Sequence, residues 1–208
     1  MSLVKLMKVR GVAVEFTAVP RVVPEFDYSD LPEMAADIRK REFYAGRIAA
    51  SNAMNICGLP NLFPSRAVNG MPVWPRGVVG SISHSFSHAC AAVSTTPDVR
   101  SIGIDIEPLD SVGKLSELRG IFLNADEMMF DEREQLIAYS AKETFFKMIY
   151  PMSEVFFGFE AASVEEFLGN HVTIISHETI GSFPAKSRFQ ISYDVLEDHI
   201  LTIGILGH

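Results

Sequence analysis

The sequence predicts an α+β protein, a pseudo-dimer of two similar α/β lobes, each a small antiparallel sheet packed on a long helix. Three observations lead there. The chain has 208 residues, enough for one large domain or two small lobes. Each half contains one long segment whose apolar residues recur at helical spacing. Each half also contains about three short apolar runs bounded by turn residues. The similar element order, without a residue-level repeat, suits one lobe over residues 1–100 and a second over 101–208.

In the first half, residues 9–23 read as extended through Val9, Val12, Val14, Phe16 and Val19, with Pro20 as an interruption. Pro24 and the stretch from Asp27 to Asp30 make a turn. Ser29 or Asp30 caps a helix that begins near Leu31, holds Pro32 in its first turn and runs to about Cys57. Met34, Ile38, Ala45, Ile48, Ala49 and Met54 are its apolar positions. Residues 58–80 are rich in Pro and Gly and form a long irregular connection. One strand then leads through Ser81 and Ser83 into His84, and another runs from Ala89 to Ser94.

In the second half, residues 101–107 form a strand with Ile102, Ile104 and Ile106 on one side and Gly103, Asp105 and Glu107 on the other. A short helix covers 115–119, and Asn124 or Asp126 starts another. A strong helix runs from Arg133 to Tyr150, where Pro151 terminates it. After Gly158 come a short helix over 163–168 and strands over 172–177, 188–193 and 200–206, with turns at Asn170 and Asp198.

Composition narrows the function. The chain is 48% apolar with a formal charge of −8, which excludes a disordered chain and argues against non-specific nucleic-acid binding. Residues 1–97 nevertheless balance at +3 while 98–208 balance at −11, so a half able to attract an anion precedes a half rich in carboxylates. Ordinary surface composition is the other reading of that split. Cys57 and Cys90 follow no metal-binding spacing and read as buried, reduced small hydrophobes. Val4, Lys5, Leu6, Met7, Lys8, Val9 and Arg10 lack the unbroken apolar stretch of a signal peptide. No window approaches the roughly 20 apolar residues of a membrane span. A cytoplasmic protein is expected.

Four places can carry chemistry. Asp105 and Glu107 sit at i and i+2 on one strand face, where carboxylate oxygens suit a hard cation such as Mg²⁺; an exposed face that merely prefers charge is the rival. On the strong helix, Lys142, Glu143 and Lys147 lie among Phe145, Phe146, Met148 and Ile149, so their charges need partners, which a metal and a polyphosphate would supply. An exposed Glu–Lys pair one turn apart is the plainer alternative. His84, with Ser81, Ser83 and Ser85, can donate to a phosphate from a strand end, or be structural. Arg39, Lys40, Arg41 and Arg47 on the first helix can hold phosphate or form a solvated face. Lys40 and Arg47 are seven apart and share a face, and Arg39 lies on another.

Taken in order, these blocks resemble the 4′-phosphopantetheinyl transferases, and within them the surfactin- and enterobactin-type enzymes. The likeness runs from Arg39 to Pro151. It comprises residues 41–50 (REFYAGRIAA), 72–75 (PVWP), 80–84 (GSISH), 102–107 (IGIDIE) and 139–147 (YSAKETFFK). The Ala45-Gly46-Arg47 and Trp74-Pro75 blocks look most like the enterobactin synthetase component D branch.

The resemblance implies two α+β lobes with coenzyme A between them: 1–100 on the phosphate side, 101–208 with the metal and the catalytic helix. It implies transfer of 4′-phosphopantetheine from coenzyme A to a serine of an apo acyl, peptidyl or aryl carrier protein, releasing 3′,5′-ADP. Siderophore, nonribosomal peptide, polyketide and fatty-acid pathways use such carriers. Asp105, Glu107 and Glu143 would bind Mg²⁺, with Mn²⁺ as a substitute. Glu143, Lys147 and Asp105 would be catalytic. Arg41, Arg47, His84, Ser83, Lys142 and Lys147 would hold coenzyme A. The internal pseudo-symmetry favours a monomer, and Met128, Met129 and Phe130 are either an apolar contact for the carrier or core. Gly70-Met71-Pro72 departs from the Gly-Lys-Pro of many relatives, so one phosphate or adenine contact is lost or replaced. A turnover-dead coenzyme A or carrier-binding protein of the same fold and a Mg²⁺-dependent nucleotide phosphohydrolase are the alternatives.

Overall fold

A computed structural model describes residues 11–208, so Val9 and the other residues of the basic N-terminal stretch lie outside the described residues. The chain divides into two compact units, one ending at Arg100 and joined by His208, the other spanning Ser101–Gly207. Among the described residues no helix is long and apolar enough to cross a membrane.

The first unit sets helix α1 (Asp37–Ile56) against a three-stranded antiparallel sheet. The sheet has the order β1 (Val12–Ala18), β5 (His88–Ser94), β4 (Val79–His84). Small residues govern this packing. Ala45, Ala49, Ala50 and Ala53 on the helix are fully buried, as are Ala89, Ala91 and Ala92 on the central strand. Neither surface carries a bulky side chain there, so helix and sheet approach closely, and Met54 and Trp74 fill the remainder.

Three expectations for this unit change. The helix starts at Asp37 rather than Leu31, behind Ala36, which offers no side-chain cap. Asp30 is engaged elsewhere, its Oδ2 accepting from the Arg66 main-chain N–H at 2.8 Å, and Ser29 lies in a turn where its N–H donates to Asp27 Oδ1 at 2.9 Å. Met34 accordingly lies before the helix and is exposed. The connection after the helix is not wholly irregular, because β2 (Ser65–Arg66) and β3 (Pro72–Val73) pair as a small hairpin. Its turn is Ala67–Gly70, closed by the Gly70 N–H on the Ala67 carbonyl at 2.9 Å, with Gly70 at φ +92°, where a side chain is strained. Cys90 is buried as expected, but Cys57 is half-buried; both thiols are free.

The second unit packs helix α4 (Glu132–Ser153) against a five-stranded antiparallel sheet. Its order is β6 (Val99–Pro108), β10 (His199–Gly207), β9 (Arg188–Val195), β8 (His171–Ser176), β7 (Ala162–Leu168). Short helices α2 (Val112–Ser116) and α3 (Arg119–Phe122) and a 3-10 turn at Ala125–Met129 fill the connection before α4. Leu136, Phe145, Met148 and Ile149 of α4 meet Val172, Ile174, Ile191 and Ile200 of the sheet in the core.

Two expectations change here. Residues 162–168 form β7, not a helix. A bulge between Val164 and Glu166 breaks the strand alternation, leaving Val164 and Phe167 core-directed at i and i+3, a spacing that mimics a helix. Helix α4 also continues past Pro151 to Ser153. Pro151 is exposed in the last turn, and the helix closes at Glu154, whose left-handed φ of 54° lets its N–H reach the Tyr150 carbonyl. Phe130 packs edge-on against Phe167, whereas Met128 and Met129 are exposed.

Candidate functional site

Strand β6 and helix α4 bring the acidic residues together. Gly103 makes this juxtaposition fit: a Cβ there would collide with the Thr144 carbonyl oxygen of α4. With hydrogen in that place the helix lies directly on the strand face that carries Asp105. Asp105 is only 2% exposed, so the reading of an exposed strand face is excluded. Its Oδ1 accepts from Lys147 Nζ at 2.7 Å and its Oδ2 from Ser140 Oγ at 2.8 Å.

Electrostatics ties Glu107 and Glu143 to the same place. Burial, with the negative charges of Asp105 and Glu143, pushes the Glu107 carboxyl up to about 8, against the pull of Lys147. Burial chiefly raises Glu143, Asp105 adding to it and Lys147 opposing it. The Tyr139 hydroxyl is also raised, first by burial and then by the charges of Glu143, Glu107 and Asp105. Lys147 meets Asp105 directly, and Glu107 and Glu143 act on that pair through their charge, so three carboxyl groups answer electrostatically to one ammonium. A divalent cation with a taste for oxygen would relieve that imbalance, so the donor set fits Mg²⁺. Beside Glu143 an apolar pocket of about 260 Å³ is walled by Phe146, Phe156, Phe157 and Phe159.

Lys142 also lines that pocket, but its ammonium is engaged inside the fold. Its side chain is 2% exposed, and Nζ donates to Glu127 Oε2 at 2.6 Å and to the Phe122 carbonyl at 2.8 Å. Glu127 also accepts from the main-chain N–H groups of Asn124 and Val164, each at 2.7 Å. The ammonium is an interior brace that ties the 3-10 turn and β7 to α4. One residue along the helix changes the outcome, because successive side chains point about 100° apart.

The first unit gathers cations. Arg47 is 6% exposed, its guanidinium lies 4.2 Å from the Phe43 ring centroid, and Nη2 makes one long bond, 3.4 Å, to the Ser65 carbonyl. Burial lowers Arg47 to about 10, Asp30 opposes this, and the charges of Arg39 and Arg66 add to it. A cleft of about 400 Å³ opens beside Arg47, lined also by Phe26, Asp30, Phe43 and Phe63. Among the described residues, the buried side-chain polar atoms without a hydrogen-bond partner are Nε of Arg41, Arg47 and Arg66.

His84 ends β4 beside the start of α1. The Arg39 guanidinium donates to its Nε2 at 2.6 Å, leaving Nδ1 to carry the proton and face Glu42 Oε2 at 3.6 Å. Arg39, placed on another face by helical spacing, therefore joins His84 and acts electrostatically on Arg47, because a guanidinium on a long stem spans the intervening turn. Arg41 donates Nη1 to the Pro20 and Arg21 carbonyls, at 3.3 and 3.1 Å, and so fastens that segment to α1. Ser83 is buried one residue before His84, on the opposite face of β4 by strand alternation. Sequence reasoning missed Arg39 as a partner of His84, as well as Arg66 and Tyr139. The Arg39–Glu42 spacing of i, i+3 was the available hint for the first, and the Asn-Gly within the hairpin turn for the second.

Comparison with known proteins gives consistent matches. The family model described as the 4′-phosphopantetheinyl transferase N-terminal domain matches residues 28–94, and that of the 4′-phosphopantetheinyl transferase superfamily matches residues 101–203. A 4′-phosphopantetheinyl transferase of Nocardia iowensis is 34% identical over 134 residues, covering 61% of this chain and 59% of the relative. Enterobactin synthase component D of Escherichia coli K12 is 40% identical over 116 residues, covering 52% and 54%. The 4′-phosphopantetheinyl transferase PptT of Mycobacterium tuberculosis is 30% identical over 145 residues, covering 65% and 63%. The chain thus spans between half and two thirds of the length of these curated relatives.

Proposed function

The chain belongs to the 4′-phosphopantetheinyl transferase superfamily, and from that premise we propose that it transfers 4′-phosphopantetheine from coenzyme A to a serine of an apo acyl, peptidyl or aryl carrier protein, releasing 3′,5′-ADP. The observation that carries this reading is the buried Asp105–Lys147 pair joining β6 to α4, to which Glu107 and Glu143 are electrostatically coupled. Asp105, Glu107 and Glu143 are the residues to hold Mg²⁺, or Mn²⁺ in its place. When bound, the ion supplies Lewis-acid neutralisation of phosphate oxygens.

The protein's own groups then divide the work. Glu143, its carboxyl held above the ordinary carboxylate range, accepts the serine proton directly or through one water. The serine oxygen forms a bond to the β-phosphorus as the bond from that phosphorus to the oxygen of 3′,5′-ADP breaks. Lys147 opposes the negative charge that grows on the bridging and leaving oxygens. The apolar pocket beside Glu143 suits the largely aliphatic pantetheine arm. In the lobe over 1–100, the phosphomonoester of coenzyme A is assigned to Arg39, Arg47 and His84, with Arg41 on the same helix and Arg66 acting electrostatically on Arg47. Buried guanidinium nitrogens without partners support that assignment. The lobe over 101–208 carries the metal and the catalytic helix. A cytoplasmic monomer is the working assembly.

The test is coenzyme A turnover with Mg²⁺, with and without apo carrier proteins. The proposal expects 3′,5′-ADP and a modified carrier serine only when an apo carrier is present. Release of 3′,5′-ADP without carrier would mark a phosphohydrolase, and binding without release would mark an inactive coenzyme A-binding protein.

A further inference from the structure

Behind Asp105 lies a chain of buried hydroxyls. Ser140 Oγ meets Asp105 Oδ2 at 2.8 Å and Thr202 Oγ1 at 2.8 Å, and Thr202 Oγ1 meets Thr144 Oγ1 at 2.6 Å. Ser140, Thr144 and Thr202 are all 0% exposed. The direction of this chain follows from proton counting. The ionised carboxylate of Asp105, paired with Lys147, only accepts, so Ser140 donates to it. With its one proton committed, Ser140 accepts from Thr202. Thr202 shares its proton between Ser140 Oγ and the Ser140 carbonyl, 3.0 Å away, and so accepts from Thr144. The Ser140 O–H points at the carboxylate, and Thr202 and Thr144 back it, Thr144 Oγ1 also donating to the Thr202 carbonyl at 3.3 Å.

We propose that Ser140, backed by Thr202 and Thr144, is a positioning residue that fixes one oxygen of Asp105 so that the carboxylate presents its remaining lone pairs to a divalent cation. This rests on the reading of Asp105 as a metal ligand. The relay draws on both neighbours of the site: Ser140 and Thr144 come from α4, and Thr202 comes from β10, which is hydrogen-bonded to β6. Without it, Asp105 keeps its bond to Lys147 on Oδ1 but loses the donor that holds Oδ2. Partners behind a metal ligand orient it, and their loss typically lowers metal affinity about 10–100-fold.

The experiment measures binding without turnover. Free Mn²⁺ is followed by electron paramagnetic resonance during titration of the purified full chain, alongside a melting curve. Ser140→Ala is expected to weaken Mn²⁺ binding about tenfold or more. Thr202→Val, which removes one hydroxyl at nearly constant shape, is expected to weaken it severalfold, and Thr202→Ser, which keeps the hydroxyl, to bind like the unaltered protein. The Thr202 pair decides the matter if Ser140→Ala fails to fold. Lowered melting temperatures with unchanged Mn²⁺ binding in Ser140→Ala and Thr202→Val would overturn the positioning role while leaving the metal reading intact. Absence of Mn²⁺ binding by the unaltered protein would overturn the metal reading, and this proposal with it.

Discussion

The two units treat charge in opposite ways. In the first, guanidinium groups are gathered with few acceptors: Arg47 is buried with a single long bond, and three Nε atoms have no partner. In the second, carboxyl groups answer electrostatically to one ammonium, and Asp105 has a donor on each oxygen while Glu107 is driven up toward about 8. Neither arrangement is a comfortable resting state for a buried charge. On the proposed function, a phosphate ester would suit the first arrangement and a divalent cation the second.

The contrast is broken most decisively at Asp105. Asp105→Ala should reduce carrier loading by more than about 100-fold while circular dichroism stays unchanged, since it removes a ligand outright rather than a partner of one. Near-normal loading at limiting Mg²⁺ would separate the acidic cluster from the metal. The next effect sharpens the difference between two lysines of α4. Lys142→Met should destabilise the fold by about 3–5 kcal/mol in chemical denaturation, because Glu127 keeps a buried charge without its cation. Lys147→Met should instead lower kcat with much smaller change in stability, its side chain being a quarter exposed. A large loss of stability for Lys147→Met with kcat retained would reduce both lysines to braces.

On the cationic side, Arg47→Ala and Arg39→Ala should each weaken coenzyme A binding by about 1.5–3 kcal/mol, ten- to a hundredfold, in titration calorimetry. The loss should vanish for the 3′-dephospho form, and an equal loss for both ligands would move the phosphomonoester elsewhere. The mildest effect is a pH dependence of the metal-free protein. Glu107 titrates at about 8 when folded and near 4.5 when exposed, so the native state holds its proton longer. The stability this contributes is full below pH about 4.5 and is lost as pH rises through about 8. Melting temperature should therefore fall over that window without Mg²⁺, and Mg²⁺ or Glu107→Gln should flatten the curve. A flat curve without either would mean that Glu107 is not crowded by its neighbours.

Much of this was legible in the sequence. The isoleucines of β6 announce a buried strand, and helical spacing with aromatic neighbours announces α4, because both signals are periodic and local. What escaped depends on non-local partners. Whether an ammonium on α4 faces a phosphate or a carboxylate is decided by Glu127, fifteen residues away on a 3-10 turn, and no periodicity encodes that. The start of α1 was misplaced because the Asp30 side chain bonds the distant Arg66 main chain and Ser29 closes a turn with Asp27. Residues 163–168 read as helix because one bulge imitates helical spacing. Arg39 was set aside for the angle of its Cα, although its reach is governed by side-chain length.

Gly103 has a consequence that concerns tolerance rather than chemistry. No charge or proton resides there, yet any side chain would have to lift α4 off β6 at the level of Thr144, one turn from Ser140. Separation of those backbones would lengthen the contacts of Ser140 and Lys147 with Asp105 together. In a saturation library scored for activity, position 103 should admit glycine alone, with the specificity of a catalytic position, and the lost variants would still carry every ligating and proton-transferring group intact.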